Sequence, residues 1–261
     1  MPGAQPYEIY AIKYARHERR ASENFIGGDP HNGPMPLDYF VWLVRNAERA
    51  LVVDTGFSAA TAARRQREHL RCPTEGLRML DVEAVAVRDV VITHLHYDHV
   101  GNFDLFPAAT FHLQDDELRY ATGRHMCHGV FGGAFDVEDV VGIVRNVYRG
   151  RVRFHDGDAT LFPGISLHLI GGHTMGLQVV RVATRRGWVV LASDASHFYA
   201  NMEEVRPFPI VYSVADMVDG YARMRALAES PDHVIPGHDP LVMRRYPAPR
   251  KDLEGIVVRL D

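Results

Sequence analysis

The chain has 261 residues, 46% of them hydrophobic, with 29 Lys and Arg against 33 Asp and Glu. That length supplies a sizeable core and the formal net charge of −4, with both signs interspersed, argues against a general nucleic-acid binder. No apolar run approaches the length of a membrane span, and two distant cysteines, Cys72 and Cys127, fit a reducing cytoplasm better than a disulfide framework.

Residues 1–7 show no basic region followed by an apolar one, so no signal peptide is expected. Residues 7–14 alternate apolar and polar and predict a strand; residues 27–36, rich in Gly and Pro, predict a long loop. Strands are expected at 39–44 and 50–54, then a helix capped by Ser58 and running to about residue 70. A strand at 90–93 leads into a histidine-rich loop, followed by a strand near 110–113 and a helix over 115–122. Residues 123–135 read as a Gly- and His-rich loop and 137–148 as a helix. Strands follow at 152–155, 165–170, 178–183 and 188–192, then a helix over 216–228 and a strand at 234–235. There are no repeats or low-complexity linkers. This order gives a strand-rich half, a helix and a second strand-rich half in an α/β chain; two packed mixed sheets covered by helices would bring the strand ends to one edge, though periodicity alone does not fix that arrangement.

The most informative segment is Thr93-His94-Leu95-His96-Tyr97-Asp98-His99, directly after Val90-Val91-Ile92. Neutral imidazole and carboxylate are ligands for zinc and similar ions, and a loop after a strand can wrap an ion. Three more ligand-type residues follow apolar runs: His173 in Gly171-Gly172-His173-Thr174, Asp194 after residues 188–193, and His238 in Pro236-Gly237-His238-Asp239. Singly each is an ordinary structural residue. As a set of seven on four strand ends they suit two adjacent metals, because one tetrahedral zinc needs only three or four ligands.

This pattern, HxHxDH with a spaced His, Asp and His, resembles the metallo-β-lactamase superfamily, and Leu51-Val52-Val53-Asp54-Thr55-Gly56 resembles the strand and turn that precede its metal motif. The Ser193-Asp194-Ala195-Ser196 context and the length are most similar to its N-acyl homoserine lactonases, the quorum-quenching hydrolases. The resemblance, which covers Val41 to about His238, implies a four-layer αβ/βα sandwich; because the candidate ligands span positions 94–238 and must converge, one domain over residues 1–261 is expected. It implies two zinc ions, or other divalent metals such as manganese, cobalt or iron. His94, His96 and His173 would hold one, Asp98, His99 and His238 the other, and Asp194 would bridge them. A metal-activated hydroxide would then open an ester ring, with Asp98, Asp194 and His197 as the catalytic side chains. Asp54 is either a carboxylate that orients a ligand histidine or a turn residue. The chain departs from the lactonase pattern at His197, where a Tyr usually stands three residues after the bridging Asp. Met175 and Leu177 also replace a usual Pro and His.

The expected substrate is N-acyl homoserine lactone or another small lactone or ester, with no nucleic acid or membrane as partner and a homodimer left open. Met35, Leu37 and Phe40, with Phe103, Phe106, Met126, Phe131, Phe135, Phe198 and Phe208, are either pocket wall or core, and packing is the commoner duty. Arg64, Arg65, Arg67 and Arg71 are expected on a solvated helix face. Thioester or phosphodiester hydrolysis is the alternative chemistry, and a non-catalytic metal-bound module the remaining one. Gly-x-Ser-x-Gly is absent, which disfavours that type of serine hydrolase.

Overall fold

The computed structural model describes residues 5–261; residues 1–4, part of the stretch read for a targeting signal, lie outside it. The strands are β1 (Glu8–His17), β2 (Leu37–Arg45), β3 (Ala50–Val53), β4 (Glu68–His69), β5 (Asp89–Val91), β6 (Thr110–Gln114), β7 (Val152–His155), β8 (Ala159–Phe162), β9 (Ile165–Leu169), β10 (Gln178–Thr184), β11 (Gly187–Ser193), β12 (Val234–Pro236) and β13 (Val257–Arg259). The α-helices are α1 (Ala59–Arg65), α2 (Pro73–Arg78), α3 (Tyr97–Val100), α4 (Asp115–Ala121), α5 (Gly129–Gly132), α6 (Val137–Tyr148), α7 (Tyr199–Glu203), α8 (Val214–Leu227) and α9 (Leu241–Arg245).

One sheet has the order β13-β1-β2-β3-β5-β6-β7, with β4 pairing β1; the other has the order β12-β11-β10-β9-β8. Both are mixed: β3, β5, β6 and β7 run parallel and β13, β1, β2 and β3 antiparallel, while only β11–β12 is a parallel pair in the second sheet. The strand β2 shows why the sheets stack as they do. It is buried at every position but the last, as a strand covered on both faces must be. Phe40, Trp42 and Val44 face the second sheet's Leu167, Val179 and Val189 in one core, while Tyr39, Val41 and Leu43 share the other core with Leu77 of α2 and Ile143 of α6. Met217, Tyr221 and Met224 of α8 cover the second sheet. The result is two mixed sheets flanked by helices, as the resemblance implies.

The edge that matters is where carboxyl ends of strands meet. β3 and β5 end side by side in the first sheet. β9, β11 and β12 run in the same direction and end together in the second. Thr93 clasps the two edges: its hydroxyl lies 2.9 Å from Ser193 Oγ and its carbonyl accepts the Gln178 N–H at 3.0 Å.

Several sequence expectations need correction. Ser58 does cap α1, accepting the Thr61 N–H at 3.2 Å, but the helix ends at Arg65 instead of near residue 70. Gln66 turns into the left-handed region (φ 56) and residues 68–69 pair with β1. Arg64, Arg65, Arg67 and Arg71 therefore do not share a solvated helix face. Arg64 pairs with Asp136 and Arg71 donates to the Lys13 carbonyl, while Arg65 and Arg67 turn inward. Residues 123–135, expected as loop, carry a 3-10 turn at Arg124–Cys127 and the single turn α5. The edge strands β8 and β13 and the short helices α2, α7 and α9 carry too few residues to show a period. Both cysteines are free, and among the described residues no helix is long and apolar enough to cross a membrane.

Candidate metal centre

The metal loop is held by one carboxylate. Asp54 follows β3 in the left-handed region (φ 61), a conformation that costs a non-glycine residue energy and persists only where its surroundings over-determine it. Here they do. The fully buried Asp54 carboxylate accepts the Thr93 N–H (2.7 Å), the Thr93 hydroxyl (2.8 Å) and the His99 Nδ1–H (2.7 Å). Asp54 is thus an orienting carboxylate as well as a turn residue. It fixes the His99 ring with Nε2 pointing inward. α3 then carries Asp98 and His99, with His96 just ahead of its first turn.

The other residues are delivered by equally constrained backbone. Gly172 precedes His173 with φ 83, and a Cβ there would lie 2.6 Å from the Met217 backbone nitrogen. Gly237 precedes His238, and its Cβ would lie 2.7 Å from the Ser193 backbone. Ser193 itself has φ 46, which swings Asp194 off the end of β11. His173 donates Nδ1–H to the Ile210 carbonyl at 2.7 Å and His238 donates Nδ1–H to the Asp38 carbonyl at 2.9 Å. Both rings are thereby fixed with Nε2 free to face inward, the usual arrangement of a ligating histidine.

All seven residues expected as ligands converge, and all are buried. One ligand atom from each of His94, His96, His173 and Asp194 lies within 4.8 Å of the others, and the same holds for Asp98, His99 and His238. Asp194 faces both groups. Its Oδ2 lies 3.1 Å from His173 Nε2 and 3.7 Å from His94 Nε2; its Oδ1 lies 2.9 Å from His238 Nε2 and 3.2 Å from His99 Nε2. The donor set fits two cations. His94 Nε2 and His99 Nε2 are buried with no hydrogen-bond partner, and His96 Nδ1 meets His173 Nε2 at 3.0 Å. Orphaned buried nitrogens are costly unless something else satisfies them. Burial, and then neighbouring imidazoles, push His94 and His96 well below the usual histidine range, which keeps them in the neutral form that binds metal. Burial would raise Asp194, but His197, His238, His99 and His173 hold its carboxyl well below the usual range.

His197 sits in the wall of the same cavity. Its ring stacks on Phe208 (3.6 Å between centroids, 6° between planes) and Nε2 lies 3.1 Å from Asp194 Oδ2. Burial pushes it down to about 3, so it is neutral.

Sequence reasoning missed three groups of residues here. Glu117 of α4 is fully buried and accepts the Leu95 N–H (2.8 Å), the Thr174 hydroxyl (2.6 Å) and the Gly176 N–H (3.1 Å), tying the His94–His96 stretch to the His173 loop. Its only sequence signal was an acid in a helix first turn. Tyr39 and Tyr97 bring hydroxyls 3.2 Å apart to the cavity wall. Arg19, Arg65 and Arg67 line the mouth. The cavity itself is about 260 Å³; of the apolar residues weighed as wall, Leu37 and Phe208 line it, while Phe40 and Phe106 are core.

Residues 35–238 match the family profile of the metallo-beta-lactamase superfamily. An N-acyl homoserine lactonase AttM from Rhizobium johnstonii is 32% identical over 171 residues, 63% of this chain and 62% of that protein. A hydroxyacylglutathione hydrolase from Xanthomonas campestris pv. campestris is 32% identical over 139 residues, 51% of this chain and 48% of that protein. The chain thus spans less than two thirds of the length of these curated relatives. A solved quorum-quenching N-acyl homoserine lactone hydrolase has a TM-score of 0.78 at 20% identity, covering 94% of this chain and 98% of that one. AidC, a dizinc quorum-quenching lactonase solved with a product, has a TM-score of 0.70 at 15% identity, covering 90% of this chain and 88% of that one. At these identities the solved structures are similar in fold.

Proposed function

This chain belongs to the metallo-β-lactamase superfamily, and we propose that it is a dinuclear metal hydrolase that opens the ester ring of a small lactone. The observation that carries the reading is Asp194, whose two oxygens face two separate imidazole groups. His94, His96 and His173 would hold one cation and Asp98, His99 and His238 the other, with Asp194 between them. The histidine-rich donor set suits zinc, with manganese, cobalt or iron as substitutes. Two such cations supply Lewis acidity to a carbonyl and make a water acidic enough to attack near neutral pH.

The chain's own residues complete the reaction. Asp54 and Glu117 hold the loops still. Asp98 is the carboxylate of the cluster that opens most towards the cavity, at 8% exposure against 2% for Asp194. It would accept the proton of the attacking water and return it to the ring oxygen as the acyl C–O bond breaks. Water's oxygen would become part of the new carboxyl group, whose remaining proton is released to solvent, and the ring opens to a hydroxy acid. His197 stands at the position where the lactonase resemblance expects a donor to the substrate carbonyl; its Nε2 lies 3.1 Å from Asp194 Oδ2 and its Nδ1 has no hydrogen-bond partner. The small cavity favours a compact substrate. The similarity to a hydroxyacylglutathione hydrolase supports a thioester as the second reading.

The test is proton release by the metal-loaded protein on a panel of lactones, S-acyl thioesters, phosphodiesters and β-lactams. Lactones should give the highest kcat/KM, and chelation should abolish turnover. A kcat/KM for phosphodiesters above that for every lactone would overturn the assignment.

A further inference from the structure

Three guanidinium groups line the mouth of the cavity without a salt-bridge partner among the described residues. Arg19 follows β1, Arg65 ends α1 and Arg67 precedes β4; Arg19 lies more than 40 positions from the other two and meets them because β4 pairs with β1. All three are half-buried. Among the described residues none has a carboxylate within 4.0 Å, although the neighbouring Arg64 does. Their hydrogen bonds go to neutral oxygens instead. Arg65 donates to the Gly133 and Phe135 carbonyls, both at 3.0 Å, and lies 3.9 Å over the Tyr97 ring. Arg67 donates Nε–H to the Tyr97 hydroxyl (3.1 Å) and Nη1–H to the Arg65 carbonyl (2.6 Å). Arg19 donates Nε–H to Asn24 Oδ1 (2.7 Å) and Nη2–H to the Glu23 carbonyl (2.5 Å), and lies 5.1 Å over the Phe208 ring on which His197 stacks. These bonds fix each fork in place but neutralise nothing. They leave Arg67 Nη2 and Arg19 Nη1 for a ligand.

The field at the three arginines is uneven: burial lowers Arg19, whereas burial of Arg67 is outweighed by Tyr39, Tyr97 and Asp98, which raise it. His17, on the same edge, is pushed down to about 4 by burial and then by Arg67 and Arg19. Like charges held together half out of water are unfavourable unless an anion joins them, and planar guanidinium forks match the geometry of carboxylate and phosphate.

We propose that the substrate carries an oxyanion, a carboxylate or a phosphate, on the arm remote from the bond that is cleaved, and that Arg19, Arg65 and Arg67 bind it at the mouth of the cavity. This rests on the hydrolase reading above and narrows it: a compact anionic lactone or ester in place of a long neutral acyl chain. With the reacting carbonyl at the His/Asp cluster, the arginines are the charged groups of the lining that remain to meet the other end. The anion anchors that end and holds the ring against the cluster.

The experiment compares γ-butyrolactones whose side arm ends in carboxylate, phosphate or the neutral carboxamide, with the metal-loaded protein. The anionic forms should exceed the carboxamide in kcat/KM by about 10- to 100-fold, the scale of charge-assisted hydrogen bonds. Whichever anion gives the larger ratio identifies the source. Arg67→Gln and Arg19→Gln should each cut that ratio about tenfold, and Arg67→Lys should restore part of it. Binding of the corresponding cyclopentanes, which cannot be hydrolysed, gives a readout without turnover; the carboxylate should raise Tm more than the carboxamide, and less so in both Gln variants. A ratio of one or below overturns the proposal. So does a ratio that neither Arg→Gln variant changes, since the anion would then be read by the metals alone. If no lactone is cleaved, the hydrolase reading fails separately, while the binding comparison still decides whether the arginines hold an anion.

Discussion

The floor of the cavity and its rim are built from different materials. The floor is the meeting of strand ends, where Asp54, Thr93, Ser193, Gln178 and Glu117 form buried hydrogen bonds between segments and leave the inward nitrogens no rotational choice. The rim is made of Arg19, Arg65, Arg67, Tyr97 and the 130–134 segment, joined by guanidinium–carbonyl and guanidinium–ring contacts that are half exposed. Unpaired polar groups are expensive in the floor and cheap in the rim, because water can replace a lost partner only in the rim. The floor therefore fixes the chemistry, and the rim is free to set which substrate reaches it.

Removing a floor acceptor should give the largest effect. Asp54→Ala strands the Thr93 N–H and His99 Nδ1, leaves the Thr93 hydroxyl with Ser193 as its nearest remaining partner, and puts alanine in the left-handed region. A loss of about 3–5 kcal/mol by urea unfolding is expected, with metal content falling as well. Asp54→Asn, which tolerates that backbone better, should lose less. Equal losses in the two variants would deny the backbone part of this account.

Glu117→Ala ranks next, at about 2–4 kcal/mol, because three donors lose their acceptor together. A loss below about 0.5 kcal/mol, the ordinary surface range, would place Glu117 with the rim instead of the floor. His197→Ala stands between the regions. If the ring polarises the substrate carbonyl, kcat should fall by about 10- to 100-fold with KM little changed, somewhat less than for a sole oxyanion donor because the metals share that duty. Wild-type kinetics with unchanged metal content would make His197 a wall residue, and lost metal would make it a ligand.

The smallest effect lies behind the rim. Burial, and then Asp136, raise Asp139 to about 7, partly offset by Arg64 and Arg65. The unfolded chain holds an ordinary carboxyl near pH 4, so the native state binds the extra proton between about pH 4 and 7. Stability from this group is present at low pH and is lost as pH rises through about 7. Asp139→Asn should match the wild type near pH 4 and exceed it at pH 8, by less than about 1 kcal/mol because the group is partly solvated. Tm measured at both pH values checks the sign; a variant less stable at pH 8 would reverse it.

The same contrast explains what could be read from the sequence. His94, His96, Asp98 and His99 are legible because one loop compresses them into six residues, and His173, Asp194 and His238 because each ends an apolar run. The sheets were legible where strands are long and two-faced, as in β2. The rim was not. Arg65 and Arg67 looked like a continued helix because Gln66, unlike Gly or Asn, does not advertise a left-handed turn. Arg19 joins them only through the β1–β4 pairing, a contact between residues more than 40 positions apart. Glu117 looked like any acid at a helix start, since the donors it serves come from two other loops.

The central claim is that Asp194 is shared between two metals and that both are needed for hydrolysis. The direct measurement is elemental analysis of the protein titrated from the metal-free state, with lactone hydrolysis followed at each step. Two metals per chain should bind, activity should reach its maximum only with the second, and Asp194→Ala should lower both content and rate. Full activity at one metal per chain, with no second bound at saturation, would contradict the account.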